Sequence, residues 1–122
     1  MFLQKNRKNF ISSYSKGVFY ENYVILLLLL QGYSIIARRY KARCGEIDIV
    51  ATRCNQIVFC EVKKRKHKKD VFDLISFKQK KRIENAISSF LKKYPKFQSY
   101  NQRIDVCLLL GILRVYWYRN AW

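Results

Sequence analysis

Hydrophobic positions in two stretches of the chain follow a helical period. Residues from about Lys16 to Gln31 are rich in leucine, contain no proline and end before Gly32, which predicts a first helix. A second helix is predicted from about Phe72 to Tyr94, where apolar residues recur three and four positions apart until Pro95. Its inward stripe is expected to contain Ile75, Gln79, Ile83, Ala86, Ile87, Phe90, Leu91 and Tyr94.

The rest of the pattern consists of short apolar runs rich in β-branched residues. They predict strands at residues 33–40, 46–50, 57–62, 103–109 and 113–117. The second and third runs are separated by residues 53–56 and form a predicted hairpin. The order of helix, three strands, helix and two strands predicts an α/β fold with one mixed sheet of about five strands flanked by helices. With 122 residues, we expect a loose basic arm at 1–15 and a single domain at 16–122.

The charge of the chain narrows the choice of partner. Lysine and arginine number 25 against 8 acidic residues, a formal charge of +17 that favours a polyanion such as nucleic acid. Codon bias is the alternative explanation for the excess of basic residues. Ten of these cations lie between positions 63 and 82, which suits a phosphate-backbone contact there; a solvated loop is the alternative. The candidate nucleic-acid-binding residues are Lys64, Arg65, Lys66, Lys68, Lys69, Lys78, Gln79, Lys81 and Arg82.

Several classes of protein fit the sequence poorly. The spacing of Cys44, Cys54, Cys60 and Cys107 matches neither a zinc site nor a disulfide framework, so we expect reduced thiols and a cytoplasmic location. The apolar run at 23–30 is too short to span a membrane, and no membrane partner is expected. The single histidine, His67, lies in the basic segment, and no glycine-rich phosphate loop is present.

The predicted hairpin brings acidic side chains together. If the loop within 53–56 contains two or four residues, each residue of one strand faces the residue of the other strand for which the two residue numbers add to 109. Asp48 then faces Glu61, and Glu46 faces Lys63, all on one face because side chains alternate along a strand. The side chains expected on the other face are Ile47, Ile49 and Val62.

Like charges that face each other on a sheet repel, and a divalent cation would offset the repulsion. Mg²⁺ is commonly held by one or two carboxylates with phosphate and water, so Asp48 and Glu61 are candidate ligands for Mg²⁺ or Mn²⁺. Lys63 is a candidate to orient or deprotonate the attacking water, or to stabilise charge on a phosphate. The alternative is that both carboxylates simply pair with nearby lysines.

Two further polar residues lie on apolar helical stripes, and a third lies in a strand. Glu21 is unexpected on its stripe unless it faces a polar pocket or a cation, which makes it a fourth candidate catalytic residue. Gln79 is either an inward-facing residue or a first-turn residue at a solvated edge. Asp105 is expected to be a structural partner of Arg103, although a role near the site stays open.

The motifs GEIDIVA at 45–51 and FCEVKKR at 59–65, at their mutual spacing, resemble the YraN-like family of uncharacterised bacterial proteins. The resemblance extends over about 16–122 and includes residues 17–21, 32–33, 78–79, 103–106 and 120–122. The family usually has asparagine at the position of Arg39 and glycine in the loop that here holds residues 66–69.

This family is similar to the Holliday-junction-resolvase branch of the restriction-endonuclease-like PD-(D/E)xK fold. The resemblance implies a magnesium-dependent phosphodiesterase site in which Asp48 and Glu61 match the metal carboxylates, Lys63 the motif lysine and Glu21 the acid of the first helix. We therefore expect a nucleic-acid-binding, endonuclease-like protein whose partner is DNA. The alternatives are a non-catalytic nucleic-acid-binding module on the same fold and, with less support, a membrane-surface or protein-interaction domain. The sequence does not decide between a monomer and a homodimer.

Overall fold

A five-stranded mixed sheet forms the centre of the computed structural model, which describes residues 17–122. The strands lie side by side in chain order, with β3 and β4 parallel and the other neighbours antiparallel. They are β1 (Ser34–Ala42), β2 (Gly45–Arg53), β3 (Gln56–Lys64), β4 (Asn101–Leu109) and β5 (Val115–Tyr118). The predicted arm at 1–15 and the start of the first helix at Lys16 lie outside the described residues.

Helices cover both faces of this sheet. Helix α1 (17–30) lies on one face, and the other is covered by α3 (Phe77–Lys93), which is preceded by the short α2 (Val71–Leu74) and followed by a 3-10 helix (Pro95–Ser99). Helix α3 belongs to the crossover between the parallel strands β3 and β4, which a two-residue turn could not join. The predicted α/β fold with a five-stranded mixed sheet is confirmed, and it is consistent with a restriction-endonuclease-like fold.

Burial on both faces explains the apolar runs in the central strands. On the α1 side, Val24 and Leu28 pack against alternate residues of β2, β3 and β4. On the α3 side, the core contains Ile47, Val50, Ile57, Phe59, Ile83, Ala86, Ile87, Phe90, Val106 and Leu108. None of the helices in residues 17–122 has the length and apolar character that crossing a membrane requires.

Helix α1 ends at the glycine that the sequence indicated. Gly32 has a φ of +87°, a conformation that glycine adopts without a steric penalty. The Gly32 N–H donates to the carbonyl of Leu29 and the Tyr33 N–H to that of Leu28, both at 3.0 Å, as at the end of many helices. The chain then enters β1, at the edge of the sheet.

The segment predicted as one helix, 72–94, forms two helices, α2 and α3. The predicted range was therefore wrong. Ser76 caps the N-terminus of α3: its hydroxyl accepts a hydrogen bond from the Gln79 N–H, and the Gln79 side chain accepts one from the Ser76 N–H. This reciprocal capping box starts a new helix at Phe77. Gln79 is therefore exposed in the first turn and does not belong to the inward stripe, whereas Ile75 is buried just before the helix.

Candidate functional site

The β2–β3 hairpin sets the register of the candidate carboxylates. Its ladder pairs Arg53 with Gln56 and continues to Ile49 opposite Cys60, so the numbers of facing residues sum to 109 as predicted. Only residues 54 and 55 remain for the turn. At the far end of this ladder, the next two positions of the register are Asp48 and Glu61.

In β2, the regular alternation of side chains between the two faces of the sheet is interrupted at Asp48. Ile47 packs into the core on the α3 side, whereas Ile49 packs on the α1 side, so the expectation that they share a face is wrong. Next to the last ladder pair, the Val62 N–H donates to Oδ2 of Asp48 at 2.8 Å. A side-chain oxygen thus serves as the acceptor for a β3 amide, and this irregularity holds the Asp48 carboxyl at the edge of β3.

The Asp48 and Glu61 carboxyls lie close enough to share a hydrogen bond, and both are mostly buried. Burial, followed by the charge of Asp48, raises the pKa of Glu61 to about 8. Burial also raises the pKa of Asp48, and the hydrogen bond from the Val62 N–H opposes that change. The pair therefore favours one shared proton near neutral pH.

Lys63 extends from β3 beside this pair, with its Nζ 3.6 Å from Oε1 of Glu61. Its charge opposes the rise in the Glu61 pKa but does not cancel it. Lys63 lines two cavities, one on each side of the sheet. It is therefore placed to act on a ligand that approaches the carboxylates from either side.

The cavity on the α3 side has a volume of about 150 Å³ and the cavity on the α1 side about 420 Å³. The first is lined by Glu46, Glu61, Lys63, Ile75, Gln79, Arg82 and Ile83. The second is lined by Gly17, Tyr20, Glu21, Val62, Lys63, Lys64 and Arg65. The carboxylate pair therefore lies at an end of the sheet that solvent and small groups can reach.

Glu21 faces the larger cavity from α1, as its position on the apolar stripe suggested. Its carboxylate accepts a hydrogen bond from Nε of Arg39 at 2.7 Å, and its side chain is 13% exposed. The negative charge of Glu21 contributes to the raised pKa of Asp48. Arg39 has a φ of +48°, a conformation in which asparagine is enriched and arginine is uncommon. Sequence reasoning missed this ion pair because it depends on a local change in the backbone of β1.

The structure brings some of the predicted nucleic-acid-binding residues to the carboxylates. Lys64 and Arg65 line the cavity on the α1 side, and Gln79 and Arg82 line the one on the α3 side. Lys68 and Lys69 line a separate open cavity with Asp70 and Asp73. The remaining three line neither carboxylate cavity: Lys66, Lys78 and Lys81. Lys64, Arg65 and Arg82 are thus the candidate cations best placed to contact a phosphate at the site.

The carboxylates form an incomplete set of metal ligands. Within residues 17–122, no three acidic, histidine or cysteine side chains come together closely enough to hold an ion unaided. Two oxygen donors with a raised pKa nevertheless suit Mg²⁺ or Mn²⁺, which keep water and take further oxygens from phosphate. Glu21 contributes a nearby charge, although it is paired with Arg39. The donor chemistry therefore fits a hard divalent cation whose remaining ligands come from a substrate and water.

Asp105 is a structural residue, as expected. It is fully buried and accepts hydrogen bonds at 2.8 to 3.0 Å from the Arg103 guanidinium, the Trp117 indole and the Asn120 N–H. These partners use the lone pairs of both carboxylate oxygens. Asp105 thus joins β4 to β5 and the C-terminal segment, and it has no unmet need for a cation.

The two buried cysteines, Cys60 and Cys107, are poor nucleophiles. All four are free thiols, and burial is the main cause that raises the pKa of Cys107 to about 12 and that of Cys60 well above its ordinary value. A thiol must lose its proton to act as a nucleophile or a metal ligand. Cys60 and Cys107 therefore favour the neutral thiol.

Comparison with known proteins assigns this chain to a family. The family profile of the uncharacterised protein family UPF0102 matches residues 20–109. A UPF0102 protein of Parvibaculum lavamentivorans is 35% identical over 82% of this chain and 75% of its own length. One from Nitrobacter winogradskyi is 34% identical over 81% and 84%, and one from Ruegeria pomeroyi is 35% identical over 83% and 82%. The chain belongs to UPF0102, the YraN-like family, as its motifs predicted.

Proposed function

We propose that this protein is a cytoplasmic nucleic-acid-binding protein with a divalent-metal-dependent phosphodiesterase site of the endonuclease type, and that its substrate is DNA. The observation that carries the proposal is the buried pair of Asp48 and Glu61 with Lys63 beside it. Two carboxyls held together at an accessible sheet end repel each other, and a bound cation would relieve that repulsion.

Asp48 and Glu61 would hold the ion, Mg²⁺ or Mn²⁺. When bound, such an ion polarises a phosphoryl oxygen and lowers the pKa of a water. The Val62 N–H keeps the Asp48 carboxylate in position. The Lys63 ammonium can orient a water molecule or stabilise the charge that builds on the phosphate, since Lys63 lines both cavities and its Nζ lies 3.6 Å from Glu61 Oε1.

The cations around the site support binding of a polyanion. Lys64 and Arg65 lie at the end of β3 and Arg82 on the exposed side of α3, so positive charge borders the carboxylates from both sides of the sheet. These residues would position the sugar–phosphate backbone without reading its sequence. They also offset the repulsion between the carboxylates and a phosphate.

Cleavage and metal binding test the catalytic proposal. Branched, duplex and single-stranded DNA and RNA are incubated with Mg²⁺ or Mn²⁺, and metal binding is measured separately by calorimetry. We expect Asp48→Asn and Glu61→Gln each to abolish cleavage and weaken metal binding while nucleic-acid binding is kept or strengthened. Lys63→Ala should lose cleavage and keep the metal. Glu46→Gln, which removes an exposed carboxylate from the same cavity, serves as the matched control.

Cleavage by both carboxylate variants, after a contaminating nuclease has been excluded, would refute this mechanism. Glu21→Gln is expected to have a smaller effect because Glu21 lies on a separate helix and is paired with Arg39.

Salt dependence tests the binding proposal. Binding to duplex DNA should weaken with salt with a log–log slope of roughly −0.9 per phosphate contact. Neutral replacements of Lys64, Arg65, Lys68 and Lys69 should flatten this slope. An unchanged slope would place the contact surface elsewhere.

A non-catalytic nucleic-acid-binding module is the second candidate. It is favoured by the ion pair between Glu21 and Arg39 and by the absence, within residues 17–122, of a third acidic, histidine or cysteine ligand beside Asp48 and Glu61. Wild-type protein that binds nucleic acid with steep salt dependence and cleaves none of the substrates would establish this second function.

A further inference from the structure

Two phenylalanine rings stand on the surface on either side of the α2–α3 break. Phe72 in α2 is 84% exposed, and Phe77, the first residue of α3, is 77% exposed. Aromatic rings usually contribute to a core because each buries a large apolar area. Neither ring takes part in the cores on the two faces of the sheet, so the fold itself does not explain them.

The surroundings of these rings are strongly basic. Nζ of Lys80 lies 5.2 Å from the centre of the Phe72 ring and 5.4 Å from the ring of Trp122. The segment 63–82, which contains both phenylalanines, has ten cations and two acidic residues. An apolar partner surface would gain little from this charge, whereas a strand of nucleic acid offers phosphates to the cations and bases to the rings.

Other residues of the basic segment 63–82 contact aromatic residues of β5. Nζ of Lys68 lies 4.5 Å from the ring centre of Tyr116, and the Tyr118 hydroxyl donates to the carbonyl of Lys69 at 3.0 Å. Lysines of this segment thus contact aromatic rings both at β5 and at α2. Neighbouring cations and rings suit a strand that offers both phosphates and bases.

The two phenylalanines are also close to the candidate catalytic site along the chain. Phe72 precedes Ile75 by three residues and Phe77 precedes Gln79 by two, and both Ile75 and Gln79 line the cavity that contains Glu61. The two rings are therefore neighbours, along the chain, of residues that line the candidate catalytic cavity.

We propose that Phe72 and Phe77 form a base-stacking surface, and that the protein prefers nucleic acid with unpaired bases, such as a single strand or the open part of a branched structure, to continuous duplex. In a duplex the faces of the bases are stacked on one another and are not available to a side chain. This inference rests on the proposed nucleic-acid function and adds the class of substrate. The rings provide contact without sequence preference, because every base has a π-face.

The test compares strands with and without bases. Fluorescence anisotropy measures the affinity of the full-length protein for a short labelled single strand, for the same strand with abasic residues at alternate positions, and for the corresponding duplex, all in EDTA to prevent cleavage. Variants Phe72→Leu and Phe77→Leu keep an apolar side chain but lose the ring. Leu30→Ala is the control, because Leu30 is 76% exposed at the end of α1 near Arg53, at the opposite end of β2.

Wild-type protein should bind the complete strand roughly five-fold to a hundred-fold more tightly than the abasic strand, the range expected for stacking of one base. Each leucine variant should reduce this ratio, leave the affinity for the abasic strand unchanged and keep the salt slope. Leu30→Ala should behave as wild type. Circular dichroism and the melting temperature verify that the variants are folded.

Equal wild-type affinity for the complete and abasic strands, with steep salt dependence retained, would overturn the stacking inference and leave the nucleic-acid function intact. Leucine variants that lose affinity for both strands equally would also overturn it. If no nucleic acid shows salt-dependent binding, the proposed function fails and the inference fails with it, and a protein partner becomes the explanation for the two rings.

Discussion

Replacing Glu61 with glutamine should stabilise the metal-free protein at pH 8, although it removes a residue of the candidate site. Glu61 is mostly buried next to Asp48, and burial together with the Asp48 charge raises its pKa to about 8. A glutamine amide can donate to Asp48 as the protonated Glu61 does, and it never becomes charged. The substitution therefore preserves the hydrogen bond and removes the repulsion.

The expected size of this effect follows from linkage between protonation and folding. An unfolded Glu61 loses its proton near pH 4.5, whereas the folded one keeps it until about pH 8. Because the folded state binds the extra proton, stability is greatest below pH 4.5 and falls as the pH rises to about 8. Each pKa unit corresponds to about 1.4 kcal/mol, and partial access to water reduces the sum, so we expect roughly 2–4 kcal/mol between pH 5 and pH 8.

Urea denaturation of wild type and Glu61→Gln between pH 5 and pH 9, in EDTA, measures this difference directly. The free energy of unfolding of the variant minus that of wild type should increase with pH up to about 8 and then level off. Millimolar Mg²⁺ should raise wild-type stability at pH 8 more than that of the variant, since a ligand of the folded state stabilises it. Glu46→Gln, which removes an exposed carboxylate from the same cavity, should change little.

A constant difference between the two proteins from pH 5 to pH 9 would show that Glu61 does not carry an additional proton in the folded state. A variant that is less stable at pH 8 in EDTA would show that the Glu61 charge is compensated by Lys63 and needs no cation. Either result would remove the electrostatic argument for a metal site.

Two stability predictions test the packing around the site. Gly45→Ala should destabilise the protein by about 2 kcal/mol or more in urea denaturation, because the new Cβ would lie 1.9 Å from the Arg82 carbonyl oxygen. Gly17→Ala is the control and should be neutral or stabilising, because its new Cβ would have no atom within 4 Å. Asp105→Asn should cost about 3 kcal/mol and lower the melting temperature by roughly 10 °C, since it leaves Arg103 partly uncompensated; an unchanged melting temperature would contradict the role given to this network.

Much of the fold could be predicted because it depends on local chemistry. Gly32 ended α1 as its position suggested, and the β-branched runs around residues 53–56 formed a hairpin with the predicted register. The burial of Ile83 and Phe90 followed from the helical period. These features need only the sequence of one element or of two adjacent elements.

The remaining features depend on competition between elements. The capping box of Ser76 and Gln79 was visible in the sequence, but the apolar period continued through it and concealed the helix start. The change of face at Asp48 could not be predicted, because it arises where Ile47 packs under α3 while Ile49 packs under α1. The ion pair between Arg39 and Glu21 likewise requires a positive φ within a strand.

The mostly buried acidic side chains of this sheet differ in how many hydrogen-bond donors surround them. This difference distinguishes a structural carboxylate, Asp105, from the candidate functional pair, Asp48 and Glu61. Asp105 lies beside Cys60 across the β3–β4 ladder, and its carboxylate is fully surrounded by donors, including a guanidinium. Asp48 and Glu61 have one backbone donor and one lysine at 3.6 Å, and their pKa values are raised. The ion pair with Lys63 opposes the rise in the Glu61 pKa but does not cancel it. The Asp48–Glu61 pair, at an accessible end of the sheet, is thus less completely satisfied than Asp105, and this contrast supports the proposal of a cation-dependent site.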